Sequence, residues 1–196
     1  MKQEITELVC IIDKSGSMAG YEEDTIGSFN SMVNRQKKLE GTCYLSVILF
    51  NHTMDLIYDR EDIQHVPPMT EKDYAAGGCT AMLDAIGFGI RKMEKLLSHK
   101  PKDAYPDHVV FFITTDGYEN ASTHFSWDDI HRLISKGKEK GWTFIFSGAD
   151  IDVKETAHRM GIEKDCSYTF QRTPAGIAKN MVIMDECLEA IRKGMK

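Results

Sequence analysis

Three oxygen-bearing side chains follow one another near the start of the chain, where an apolar run ends in the stretch IIDKSGSM. Asp13 closes the run, and Ser15 and Ser17 come after it on either side of Gly16. A second acid, Asp116, closes another apolar run in FFITTDGYEN. Carboxylate and hydroxyl oxygens, without sulfur or imidazole, suit hard cations such as Mg²⁺, Mn²⁺ or Ca²⁺ better than Zn²⁺.

The two acids can act together only if the elements that carry them are neighbours. In an open parallel sheet, ligands bind beyond the carboxyl ends of the strands, most often where the strand order reverses. Two carboxylates at such a place repel each other unless a cation or a proton lies between them. We therefore expect Asp13 and Asp116 to share a cation, with the hydroxyls of Ser15 and Ser17 beside it.

A third stretch, AGGCTAMLDAI, offers another hydroxyl. Thr80 follows Gly77 and Gly78 and precedes a predicted helix over residues 81–97. A threonine in that position is commonly a helix N-cap. Its hydroxyl would also point out of the same edge of the sheet, so a capping role and a metal-binding role are both open.

The elements that must position these residues alternate between strands and helices. Apolar and β-branched runs predict strands at residues 5–12, 43–50, 108–114, 142–147 and 166–170, with residues 53–58 as an antiparallel partner. Apolar residues at helical spacing predict helices at residues 25–39, 81–97, 127–140, 153–160 and about 177–191. The pattern predicts an α/β fold with a mostly parallel sheet and helices on both faces, formed by residues 1–196 as a single domain.

Composition restricts the class of function. The chain is 42% hydrophobic, which allows a sizeable core, and its net charge of −6 weighs against nucleic-acid binding. The apolar run near the N-terminus is too short for a signal sequence or a membrane span, so no membrane association is expected. The five cysteines form no Cys-x-x-Cys pair, which favours free thiols in a reducing, cytoplasmic setting over a zinc site.

The order and context of the oxygen-bearing residues resemble the metal-ion-dependent adhesion site (MIDAS) of von Willebrand factor type A domains. The matching motif positions, to which the resemblance assigns the metal, are Asp13, Ser15, Ser17, Thr80 and Asp116. The resemblance covers nearly the whole chain and implies a doubly wound central sheet with strand order 3-2-1-4-5-6 and one antiparallel strand. It further implies a Mg²⁺ ion held directly or through water, and it is strongest to stand-alone intracellular members from bacteria and phages.

Three functions are consistent with such an ion. The protein supplies too few oxygens for an octahedral shell, so an open position could accept an Asp or Glu carboxylate of a partner protein. The ion could instead act as a Lewis acid in a hydrolase or phosphatase, or it could be purely structural. A haloacid-dehalogenase-type phosphatase carries a second Asp where Ser15 stands, and no Walker-type loop follows. We therefore expect a metal-dependent adaptor with no catalytic residues.

Loops around the site are expected to choose the partner. The predicted rim comprises residues 18–21, 71–79 and 118–123. Tyrosine provides a large contact area with a polar tip, so the candidate contacts are Tyr21, Tyr74 and Tyr118, although each could simply pack inside the protein. Glu119 is expected to tune the electrostatic field of the ion without touching it.

Overall fold

The computed structural model describes residues 4–194. Its strands are β1 (Ile5–Asp13), β2 (Thr42–Phe50), β3 (Met54–Asp62), β4 (His108–Thr115), β5 (Thr143–Gly148) and β6 (Ser167–Thr169). Its α-helices are α1 (Glu22–Gln36), α2 (Met82–Ser98), α3 (Trp127–Glu139), α4 (Val153–Met160) and α5 (Pro174–Arg192). Residues 1–3 and 195–196, which the predicted domain range includes, lie outside the described residues.

All six strands form one sheet, in the order β3-β2-β1-β4-β5-β6. β2 and β3 pair antiparallel, and every other neighbouring pair is parallel. The predicted order 3-2-1-4-5-6 is therefore confirmed. β1 lies between β2 and β4, and Ile12 is in register with Thr114. This register brings the carboxyl ends of β1 and β4, and thus Asp13 and Asp116, to the same edge of the sheet.

The sheet is covered on both faces, because successive residues of a strand point to opposite sides. Leu8, Cys10 and Ile12 of β1 pack into a core that includes apolar residues of α1 and α5. Val9 and Ile11 pack into a second core with α2, α3 and α4. β1 is consequently buried on both sides, which explains its unbroken apolar sequence and confirms the doubly wound arrangement.

Several element boundaries differ from the sequence-based ones by one to four residues, and two of these differences have a clear physical reason. β3 continues to Asp62, beyond the predicted end at residue 58, and carries a register shift against β2 and a positive φ of 54° at Arg60. Charged residues interrupt its apolar pattern because β3 is an edge strand, where charge prevents further pairing. α1 begins at Glu22, three residues before the predicted start, because acidic residues in the first turn interact favourably with the positive end of the helix dipole.

The last helix, α5, is fixed against α1 by polar contacts. Arg192 donates to the backbone and side-chain oxygens of Gln36, each at 3.0 Å, and Asp185 accepts from Arg35 and Gln36. These contacts fix the C-terminal half of α5 against the end of α1. Within residues 4–194, no helix combines the length and apolar character needed to cross a membrane.

Candidate metal centre

Four of the predicted site residues meet where β1 and β4 end. The Ser17 hydroxyl donates to Asp116 Oδ1 at 2.5 Å, and the Ser15 and Ser17 hydroxyl oxygens lie 3.1 Å apart. Asp13, Ser15 and Asp116 are buried, at 1%, 2% and 2% exposure. The side chain at the position between Asp13 and Ser15, Lys14, forms an ion pair with Asp55 of β3. The sequence-distant acids thus share one cluster of oxygens.

Asp13 is held from three directions. Its Oδ1 accepts from the Ser15 backbone N–H at 2.6 Å, and its Oδ2 accepts from the Thr115 hydroxyl at 2.5 Å. The Tyr74 hydroxyl donates to the Asp13 carbonyl oxygen at 2.6 Å. Burial raises the pKa of Asp13 to about 6, although the hydrogen bonds from Thr115 and Ser15 oppose that rise. The carboxylate is therefore oriented, but its charge is costly without a cation.

Asp116 carries the clearest sign that a cation fits the cluster. Its Oδ2 is buried and accepts no hydrogen bond within the described residues. Burial raises the pKa of Asp116, against the Ser17 hydrogen bond and the charge of Arg172. Buried carboxylate oxygens in proteins are normally hydrogen-bonded, paired with a charge or bound to metal. The donor set and this unsatisfied oxygen together fit a hard divalent cation.

The Gly-Gly stretch before Thr80 packs tightly against the loop after β1. Gly16 N–H donates to the Gly78 carbonyl at 2.9 Å, and Gly77 N–H donates to the Lys14 carbonyl at 2.9 Å. Gly78 has φ +79°, and a Cβ there would lie 2.1 Å from Nδ1 of His52. The backbone conformation therefore favours glycine at Gly78, and a Cβ there would also have to displace the His52 ring.

Thr80 is not the cap of α2. The first N–H groups of that helix are satisfied from the loop after β4, because Leu83 N–H donates to Glu119 and Asp84 N–H donates to Ser122 Oγ. The N-cap position is occupied by Ala81, which makes no capping bond with its side chain. The capping interpretation of Thr80 is thus wrong. Its hydroxyl makes no hydrogen bond within residues 4–194 and is available to a ligand.

The Thr80 hydroxyl faces the same cluster as the other four residues. A Cβ built on Gly117 would lie 3.4 Å from Thr80 Oγ1 and 3.6 Å from Ser17 Oγ, so the two hydroxyls flank this glycine. Asn120 holds the Thr80 backbone, accepting from its N–H at 2.9 Å and donating to its carbonyl at 3.0 Å. The structure thereby brings all five predicted residues together.

The carboxylate of Glu119 serves the loop rather than the oxygen cluster. It accepts hydrogen bonds from the backbone N–H groups of Leu83, Ala121 and Ser122 and from the Ser122 hydroxyl. These bonds tie the loop after β4 to the start of α2. These bonds therefore support a positioning role for Glu119, which fixes Thr80 relative to Asp116.

The tyrosines predicted at the rim have different positions. Tyr118 is 60% exposed, as a contact residue requires, and Tyr21 is half-buried against the core. Tyr74 is 1% exposed, so its assignment to the rim is wrong. Its ring packs in the core that includes residues of α1 and α5, and its hydroxyl donates to the Asp13 carbonyl oxygen, 61 residues away in sequence.

Sequence reasoning missed two residues that contact the cluster, Thr115 and Arg172, and gave a third, Tyr74, the wrong role. Thr115 and Tyr74 fix Asp13, and Arg172 places Nη1 3.5 Å from Asp116 Oδ2. Thr115 had a local signal, since it directly precedes Asp116 in TTDG. Tyr74 and Arg172 had none, because their contacts depend on the packing of distant loops.

The arrangement can hold a cation with oxygen atoms alone. Within residues 4–194, no group of three or more His, Cys, Asp or Glu side chains is placed to bind a metal. The candidate centre combines two carboxylates with three hydroxyls. This composition suits Mg²⁺, which accepts few protein ligands and completes its shell with water or a ligand oxygen.

Comparisons with known proteins give structural likeness without sequence likeness. No protein-family model and no curated protein matches the chain. The von Willebrand factor domain of the type V pili tip protein Mfa5 from Porphyromonas gingivalis superposes with a TM-score of 0.69 at 12% identity, covering 100% of this chain and 98% of that one. A von Willebrand factor type A protein from Catenulispora acidiphila gives 0.60 at 18% identity, with 94% and 42% covered.

Proximal thread matrix protein 1 from the mussel byssus, solved with a zinc-occupied MIDAS motif, is also similar. Its TM-score is 0.65 at 16% identity, and the alignment covers 95% of this chain and 46% of the mussel protein. The chain therefore spans about half the length of the mussel protein. These likenesses, together with the observed strand order, show that the chain has the von Willebrand factor type A fold.

Proposed function

We propose that the chain is a metal-dependent protein-binding domain rather than an enzyme. Its metal would be held by Asp13, Ser15, Ser17, Thr80 and Asp116, and an Asp or Glu of a partner protein would complete the coordination. The observation that carries the proposal is the buried Oδ2 of Asp116, which accepts no hydrogen bond within residues 4–194 and lies beside hydroxyls at the sheet edge. When bound, the metal supplies a Lewis-acidic position that a carboxylate can occupy.

Mg²⁺ is the ion we favour, with Mn²⁺ or Ca²⁺ as possible substitutes. Zinc occupies the MIDAS of the mussel protein, so a divalent ion as such is compatible with the motif. In this chain the proposed ligands are all oxygens, which favours a harder ion than Zn²⁺. Cys79 is exposed next to Thr80, but a thiolate is a poor ligand for Mg²⁺ and we assign it no role in the site.

Catalysis is the less favoured alternative, because the cluster offers no proton-transfer group beyond its two acids. Thr115, Ser15 and Ser17 already engage the carboxylates of Asp13 and Asp116. A phosphatase would also need a general acid or base within reach of its substrate. Turnover of p-nitrophenyl phosphate in Mg²⁺, abolished by Asp13→Ala, would establish an enzyme and refute the proposal.

Partner capture tests the proposed function directly. Protein retained from native lysate in Mg²⁺ should be lost with chelator and with Thr80→Ala. As a matched control, Thr53→Ala removes an exposed hydroxyl whose bond is to Asn51, and it should retain the partner. Capture that persists without any divalent ion would place recognition elsewhere on the domain.

The cellular setting is also a proposal. All five cysteines are free thiols, and Cys10 and Cys43 are buried. Free, unpaired thiols are typical of reducing compartments, so we propose a cytoplasmic setting, and we propose that residues 1–196 form one domain.

A further inference from the structure

Arg172 places a cation at the rim of the oxygen cluster. Its Nη1 donates to the Ser17 carbonyl oxygen at 3.3 Å and lies 3.5 Å from Asp116 Oδ2. Its Nε pairs with Asp150 Oδ2 at 3.1 Å. The guanidinium thus contacts two residues of the proposed metal site and one acid from the loop after β5.

The backbone that carries Arg172 is fixed on both sides. Phe170 is buried and its N–H donates to the Gly148 carbonyl at 3.0 Å, while Thr173 caps α5 by accepting from Gly176 N–H. A Cβ on Gly176 would lie 1.9 Å from the Gln171 carbonyl oxygen, so the turn and the helix are in close contact. Arg172 therefore extends to the site from a segment whose backbone is held on both sides.

The contact between Arg172 and Asp116 is an ion pair without a hydrogen bond. At 3.5 Å, Nη1 attracts the carboxylate but leaves its Oδ2 without a donor. The hydrogen bond from Nη1 goes to the backbone of Ser17, which does not depend on the charge of Asp116. The guanidinium can therefore stay in place when a divalent ion takes over the Asp116 carboxylate.

One edge of the guanidinium remains available. The Arg172 side chain is 35% exposed, and its Nη2 donates no hydrogen bond within residues 4–194. An arginine side chain can donate to both oxygens of a carboxylate, or to one of them while a second cation binds the other. The charges also balance, because a divalent ion would offset Asp13 and Asp116 while Arg172 offsets Asp150.

We propose that Arg172 is the second anchor of the incoming carboxylate, with one carboxylate oxygen on the metal and the other on Arg172. This inference rests on the proposed function and adds a specificity-determining residue to it. A group with two adjacent oxygens, such as an Asp or Glu side chain, satisfies both anchors, whereas a neutral hydroxyl or amide satisfies only one.

The test uses the full chain, with Mn²⁺ and acetate as probes. Protein-bound Mn²⁺ relaxes water protons, and acetate that replaces a coordinated water lowers this effect. In Arg172→Met, the acetate concentration at half effect should rise on the order of tenfold, the range of one charged hydrogen bond. Mn²⁺ affinity, measured separately by electron paramagnetic resonance, should stay equal or become tighter.

Two controls separate direct contact from charge. Lys179→Met removes an exposed positive charge from α5 and should leave the acetate response unchanged. In Arg172→Met/Asp150→Asn the local charge balance is restored, but the donor is still missing. We expect acetate binding to stay weak in this double variant, since the anchor is the N–H group rather than the charge alone.

Two results would overturn the inference: an acetate response equal to that of the wild type in Arg172→Met, or one restored in the double variant. Either would make Arg172 a counter-charge only. A wild-type protein that binds Mn²⁺ but does not respond to acetate would refute both the inference and the proposed carboxylate docking. The acetate response of the wild type thus tests the proposed function, and the responses of the variants test the role of Arg172.

Discussion

Within the site, folding strongly shifts the pKa of Asp13. Its pKa is raised from 3.8 to about 6, chiefly because burial disfavours the charged form. Between these values the folded protein holds a proton that the unfolded chain has lost. Stability of the metal-free protein therefore falls as pH rises through this interval, by on the order of 2–3 kcal/mol.

Asp13→Asn should remove the pH dependence of stability that comes from Asp13. With chelator present, the free energy of unfolding in urea should be measured at about pH 4 and about pH 7. Over this interval it should fall by on the order of 2–3 kcal/mol more in the wild type than in the variant. Saturating Mg²⁺ should restore wild-type stability at the higher pH, since the ion offsets the charge. Parallel pH profiles in chelator would contradict the assigned burial cost.

Thr115 is predicted to position Asp13 without touching the metal. Thr115→Val keeps the shape but removes the hydroxyl that donates to Asp13 Oδ2. A hydrogen bond to a charged group contributes roughly 1.5–3 kcal/mol, so Mg²⁺ affinity by calorimetry should fall about tenfold or more. Thr115→Ser, which retains the hydroxyl, should recover most of the affinity. Equal affinity in the valine and serine variants would show that the hydroxyl has no such role.

At the scale of elements, the loop before α2 depends on Gly78. Gly78→Ala combines an unfavourable φ of +79° with a Cβ 2.1 Å from the His52 ring. We expect a loss of about 1 kcal/mol or more in unfolding free energy and weaker Mg²⁺ binding, because the loop carries Thr80.

Gly20→Ala is the matched control for this prediction. Gly20 has φ +89°, and a Cβ there would have no atom within 4 Å. This variant should show the backbone cost alone, about 1 kcal/mol, with unchanged Mg²⁺ affinity. If both variants bind Mg²⁺ as the wild type does, the position of the Gly-Gly stretch does not control the site.

The sequence predicted the elements well where burial made the pattern clear. β1 and β4 are apolar throughout because both of their faces are covered, so they stood out as strands. β3 was predicted too short, because Asp59 and Glu61 lie on an exposed edge and break the apolar alternation. The five candidate ligands were found because each follows a strand or precedes a helix at a recognisable spacing.

Residues that act through tertiary contacts could not be found in this way. Tyr74 reaches Asp13 across 61 residues, and Arg172 reaches Ser17 across 155 residues. The role of Thr80 was ambiguous because helix capping and metal binding need the same hydroxyl. Only the observation that Glu119 and Ser122 satisfy the start of α2 separated the two.

For the whole molecule, the two apolar cores should hold the fold without the metal. At neutral pH, chelation leaves the buried carboxylates of Asp13 and Asp116 without a cation, which we expect to cost on the order of 2–3 kcal/mol. A domain of this size usually has about 5–15 kcal/mol of stability, so the circular dichroism spectrum should keep its α/β form. Unfolding on addition of chelator would instead favour a structural ion.

Calorimetric titration with Mg²⁺ tests the central claim most directly. The metal-free wild type should bind one ion, and Asp13→Ala and Asp116→Ala should each abolish the binding, because each removes a carboxylate from the cluster. Asp55→Ala, which removes an exposed acid that pairs with Lys14, should bind as the wild type does. Mg²⁺ binding that is absent from the wild type, or that survives in both site variants, would contradict the assignment of this cluster as the metal site.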